Sequence, residues 1–340
     1  MTPLFSLKAA LAAIARFWGQ FFHAPCDARI CAAIRVAYAA IVLVHLSVVY
    51  RDAEMLYSDA GVLPVESARQ IGSVHTQSFF WCLRSTPGVM EACVILMAVH
   101  AAMLLVGLLP NVNAAALFLW IASLQFRNVV INDGEDTAMR MLGFFLIWMP
   151  VGRCWSVDAL IGRTWRRWRS RAAIGEGERE RVGDGFDTYA APGWALRLWQ
   201  IQMALILLST ALVKLEGEAW PRGEALYYVS RLDDFFGRFW VPAWAFDSPW
   251  CVAGLTWTVL LVELLAPLLI WFRETRMACL MLLVIFHLAS DWSMHLFLFH
   301  WIMLCGWLAF VTPGDVRWLL SWFGGGPRPS NLAEPAIARN

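Results

Sequence analysis

Charge is scarce in this chain. Only 16% of its 340 residues are Asp, Glu, Lys or Arg, while 59% are hydrophobic. A soluble domain of this length needs far more charge to cover its surface, so a soluble globular fold is excluded. Lysine is scarcer still: of 27 Lys and Arg residues only Lys8 and Lys214 are lysines. A net charge of +1 excludes a strongly basic nucleic-acid binder, and no nucleic-acid partner is expected. The eight cysteines include no C-x-x-C pair and mostly sit in apolar runs. That placement points to helix packing rather than to a disulfide framework or a metal cluster. Neither a phosphate-binding Gly loop nor an internal repeat is present.

What the chain does have is tryptophan and long apolar runs. Its 20 Trp residues suit repeated passage through the headgroup level, where the amphipathic indole settles. Mean hydropathy is +0.56. Runs long enough to cross a bilayer, or nearly so, are Ile30–Tyr50, Val89–Leu109, Ala114–Phe126, Thr137–Val151, Trp194–Val213, Cys251–Trp271, Met277–Ala289 and Leu296–Val311. The fold expected is all-α: a polytopic transmembrane helical bundle of about eight spans plus interfacial amphipathic helices. Residues 1–22 read as an N-terminal interfacial amphipathic helix, 23–323 as the membrane domain with a cytoplasmic linker at about 163–193, and 324–340 as a disordered tail. Trp155-Ser156-Val157-Asp158 should start an interfacial helix, with Ser156 or Asp158 as its cap and Trp155, Trp165 and Trp168 as anchors.

Basic residues set the orientation. Arg163, Arg166, Arg167, Arg169, Arg171, Arg179 and Arg181 form a cluster that belongs in the cytoplasm. Both termini then fall on the cytoplasmic side of what is expected to be a bacterial plasma membrane. Arg127 and Arg140 fit poorly, because this assignment places them outside beside three carboxylates.

Two polar segments fall on the outer side. The first runs through Asn132, Asp133, Glu135 and Asp136 to Arg140, between two short apolar runs. It reads either as a solvated turn with surface ion pairs or as the lining of an outward-opening pocket. The second holds Lys214, Glu216, Glu218 and Trp220. A desolvated lysine can lose its proton and act as a base, which an arginine cannot. The bland alternative is a snorkelling lysine paired to Glu216 or Glu218. Glu263 lies in mid-span and should face the bundle interior, beside a kink at Pro267. His45, His100, His287, His295 and His300 show no H-E-x-x-H or i,i+4 pairing, so no metal site is expected.

Several motifs recur in one known family. Phe22-His-Ala-Pro25-x-Asp27, Arg35 and Tyr57-Ser-Asp59-Ala-Gly61-Val-Leu-Pro64 come first. Asn132-x-Gly134-x-Asp136, Trp155-Ser-Val-Asp158, Val213-Lys214-Leu215 running on to Trp220, Gly223 and Tyr228, and Phe286-His287 follow in order. Together they resemble the horizontally transferred transmembrane domain (HTTM) family, which is similar to the membrane portion of vitamin K-dependent gamma-carboxylase. The resemblance implies that Lys214 matches the lysine that deprotonates reduced vitamin K, with a reduced, vitamin K-like quinone as the partner molecule. It also shows a departure: the carboxylase has Asn-Asn-His where this chain has Asn132-Asp133-Gly134, and no counterpart of the substrate-gripping lumenal domain is expected.

Two functions are expected on these grounds. One is a membrane-embedded enzyme acting on a quinol or other lipid-soluble substrate, with Lys214 as base and a pocket shaped by Asn132, Asp133, Glu135, Asp136, Arg140, Glu216, Glu218, Trp220, Glu263 and His287. The other is a non-catalytic partner in maturation, immunity or export of a secreted peptide, bound by the loops at 52–88 and 220–249. A transporter should show internal symmetry, and none is visible.

Overall fold

In a computed structural model, residues 3–72, 77–83, 85–173 and 189–323 are described. The chain is an all-α bundle. Helices α1 (Pro3–His23), α2 (Ala28–Tyr57), α3 (Val65–Ile71), α4 (Pro87–Val106), α5 (Pro110–Arg127), α6 (Gly134–Leu146) and α7 (Val157–Ala173) form the first part. Helices α8 (Trp194–Glu216), α9 (Ala225–Val229), α10 (Trp244–Asp247), α11 (Pro249–Leu269), α12 (Arg273–Ser293), α13 (Phe299–Trp307) and α14 (Pro313–Phe323) form the second. The two parts are stitched by a short antiparallel pair, β1 (Cys26–Asp27) against β2 (Ala190–Ala191).

Each of the eight apolar runs holds a helix, but the helices differ in reach. Five are long and apolar enough to cross a membrane: α2, α4, α8, α11 and α12. Their length and composition make this an integral membrane protein. The others are shorter, 18 residues in α5, 13 in α6 and 9 in α13. At a rise of about 1.5 Å per residue, α13 covers only about 14 Å, well short of a bilayer's hydrocarbon core. It can be short because it is sheathed in protein, packed against α2, α6, α8 and α12. Its backbone ends therefore do not meet lipid. Gly306 lets α13 approach α8 closely, since a Cβ there would collide with the Met203 side chain.

Local signals explain where helices start. Proline opens α4, α5 and α11, where its missing N–H is no loss. Asp133 caps α6 in a capping box completed by Asp136. Ser156, not Asp158, caps α7: its Oγ accepts the Ala159 N–H at 3.0 Å, while the Asp158 carboxylate takes the Leu109 N–H. Helix α7 runs on to Ala173, well past the expected linker start at 163, with Leu160, Ile161, Trp165 and Trp168 exposed. Helix α1 likewise exposes Leu11, Ile14, Phe17 and Trp18. The remaining linker at 176–187 and the tail from 324 lie outside the described residues.

Two groups of connections mark opposite ends of the bundle. At one end the β1–β2 pair meets the start of α8 and α7. At the other, the turn before α13 meets both the acidic bend and the segment that leaves α8. The Glu135 carboxylate accepts the Leu298 N–H at 2.7 Å, and His295 N donates to Phe235 O at 2.8 Å.

Candidate functional site

Lys214 stands in the last turn of α8, and its partner comes from another helix. Its Nζ lies 2.5 and 2.6 Å from the two carboxylate oxygens of Glu263 on α11. Glu263 is about 21 Å along α11 from its first residue and about 9 Å from its last, deep in a span. The side chains are 24% and 6% exposed. An isolated charge at that depth is costly, so each group supplies the counter-charge the other needs. Pro267, one turn further, cannot donate to the Glu263 carbonyl, yet α11 continues through it.

The chain after α8 folds back over this pair. Gly223, at φ 77°, makes the turn and sits tight against Ala253 of α11. Trp257 Nε1 donates to Pro221 O at 3.2 Å, and Leu226 N donates to Thr256 Oγ1 at 3.3 Å. This packing sets the Trp220 ring 4.5 Å from Lys214 Nζ, where its negative face attracts the ammonium. Lys214, Glu263 and Trp220 therefore form one cluster. Glu216 and Glu218 do not join it. Both are exposed, and Glu218 pairs with Arg222 at 2.9 Å. The expected snorkelling pair to Glu216 or Glu218 is thus replaced by a cross-helix pair.

The acidic bend is a separate construction. Asp133 is spent on capping, and Asp136 accepts the Asp133 N–H at 3.1 Å. Asn132 Nδ2 donates to Gln125 O at 2.8 Å, and Arg140 Nη1 donates to Gln125 Oε1 at 2.5 Å, its guanidinium 5.0 Å from the Phe126 ring. Glu135, only 4% exposed, reaches both Leu298 N and His45 Nδ1, the latter at 3.3 Å. Arg127 is fully buried and bonds Leu63 O at 2.9 Å, with Asp59 at 3.4 Å. The two arginines that fit the orientation poorly are therefore structural ties rather than loop charges. Among the described residues no hydrogen bond or ion pair joins this bend to Lys214, whose polar partner is Glu263.

A third cluster surrounds His287 on α12. His287 Nδ1 is 3.2 Å from His300 Nδ1 on α13, and Trp307 Nε1 donates to His287 Nε2 at 3.1 Å. Both histidines are buried. No group of three or more His, Cys, Asp or Glu among the described residues could hold a metal ion.

Residues 184–314 match the family model of the HTTM domain. The resemblance is borne out over that segment. The HTTM-matched stretch runs from β2 to α14 and contains Lys214, Trp220, Glu263, His287 and His300, whereas the acidic bend lies outside it. No curated protein and no solved structure matches the chain. The partners within the HTTM segment were the part that sequence reasoning missed. Glu263, 49 residues from Lys214, and His300 with Trp307 carry no local signal of their pairing.

Proposed function

We propose that this protein is a membrane-embedded enzyme in which Lys214 takes a proton from a hydroxyl group of a quinol or another lipid-soluble substrate. The observation that carries the reading is an amine paired to a carboxylate deep in the bundle and covered on one side by Trp220. The pair is net neutral whether the shared proton sits on Nζ or on the Glu263 oxygen. In water the ionic form wins by a wide margin, and desolvation narrows that margin. With the proton on Glu263, Nζ carries a free lone pair. It can accept the substrate's O–H proton, giving an ammonium ion beside a substrate oxyanion that it then stabilises. The resemblance to the carboxylase membrane portion supports the same role for Lys214, and a reduced, vitamin K-like quinone is the substrate we favour. We place the protein in a bacterial plasma membrane with both termini cytoplasmic, because the Arg-rich α7 lies at the end opposite the acidic bend.

The second reading, a non-catalytic partner for a secreted peptide, draws on the exposed Trp240, Trp244 and Trp250 in and beside the segment between α8 and α11. Proteoliposomes supplied with a reduced naphthoquinone separate the two. Under the enzymatic reading the quinol is consumed when dioxygen is supplied to take its electrons, and Lys214→Met abolishes consumption when compared at equal amounts of folded, inserted protein. A fully active Lys214→Met protein would exclude the base.

A further inference from the structure

We infer that His300 presents a buried N–H to an uncharged oxygen acceptor on a lipid-soluble ligand, held in donor form by a relay from Trp307 through His287. An indole N–H can only donate. Trp307 Nε1 lies 3.1 Å from His287 Nε2, so that nitrogen must carry a lone pair. The proton of neutral His287 is then on Nδ1, which faces His300 Nδ1 at 3.2 Å and donates to it. His300 must in turn carry its own proton on Nε2. That nitrogen is buried without a hydrogen-bond partner among the described residues, on a side chain whose residue is only 2% exposed. Orphaned buried donors are rare in folded proteins.

The surroundings set the ligand's chemistry. Protonating His287 would turn an N–H against the indole N–H, and protonating His300 would set two N–H groups against each other, so both rings are neutral. Three of the four ring nitrogens are committed, which leaves no second ligand for a metal. The nearby charges are already matched: Arg238 pairs with Asp291 at 2.7 Å, and the Glu135 carboxylate holds Leu298 N. Among the described residues around the pair, no unmatched cation invites an anion. Phe286 and Phe299 flank the two imidazoles at 5.0 and 5.3 Å, giving apolar walls. A carbonyl, ester or hydroxyl oxygen on a lipophile fits. The inference draws on the proposed lipid-soluble substrate only for that class, and is otherwise independent of Lys214.

Menadione, a neutral and lipophilic diketone, serves as the probe. Its binding to purified wild type should weaken about tenfold in His300→Phe, the scale of one neutral hydrogen bond. Trp307→Phe should weaken it similarly without touching the ligand, because freeing His287 Nε2 lets the relay reverse and turns His300 Nε2 into an acceptor. Equal affinity in all three proteins, or no binding to wild type, overturns the inference. Nitrogen-15 NMR of histidine-labelled wild type covers the case in which a variant fails to fold: a proton on His300 Nδ1 rather than Nε2 refutes the relay, and an Nε2–H bonded to water refutes the ligand. His300-dependent binding alongside an active Lys214→Met protein would refute the base alone. Lysine-dependent turnover without such binding would refute this inference alone.

Discussion

Replacing Glu263 with leucine should destabilise the protein by about 3 kcal/mol, the low end of the range for stranding one partner of a buried ion pair. The low end applies because Lys214 keeps some contact with its surroundings: it is 24% exposed and has the Trp220 ring 4.5 Å away. Removing both charges, as Lys214→Met with Glu263→Leu, should return stability to within about 1 kcal/mol of wild type, since neither group is then desolvated unpaired. Unfolding of wild type, both single variants and the double variant in one detergent completes the cycle. The two single losses should exceed the double loss by several kcal/mol. A Glu263→Leu protein as stable as wild type, or a double variant worse than the sum of its singles, would refute the pairing energetics.

Other outcomes follow from the same geometry. Glu135→Ala should cost about 2 kcal/mol, because it leaves the buried Leu298 N–H without its charged acceptor, and thermal unfolding should register it. Asp27, which caps α2, contributes a pH dependence. Burial pushes its carboxyl up, but hydrogen bonds from Arg29 outweigh this and hold it below its ordinary value of 3.8. A depressed folded-state value means stability that is present above the unfolded value and lost as pH falls through the folded one. Unfolding followed below about pH 4 should therefore show a steeper acid loss in wild type than in Asp27→Asn.

Much of the scaffold was legible in the chain. Eight apolar runs became eight helices, and short-range signals such as the Asp133 capping box, the Ser156 cap and the opening prolines marked their ends. These features act within one or two turns, so sequence spacing contains them. Reach was less legible: α13 is too short to span alone, and only its neighbours explain why that is tolerated. The candidate site was legible in type but not in pairing. Lys214 stood out by rarity and Glu263 by depth, yet nothing in their spacing joins residues on different helices. Nearby Glu216 and Glu218 were the more obvious partners, but both stay exposed, Glu218 pairing with Arg222 beyond the end of α8. The acidic bend read as either a solvated turn or a pocket lining, because its charges crowd together between two short apolar runs. Asp133 and Asp136 serve as the capping box of α6, and the buried Glu135 holds α6 to the turn before α13.

The scarcity of lysine makes the decisive measurement simple. Nitrogen-15 NMR of protein labelled at lysine Nζ should give two signals, one from Lys8 and one from Lys214. The Lys214 signal should lie apart from that of an ordinary solvated ammonium, exchange slowly with water, and shift again in Glu263→Leu as its counter-charge is lost. Two coincident, rapidly exchanging signals would contradict a shielded amine and leave the proposed base without its site.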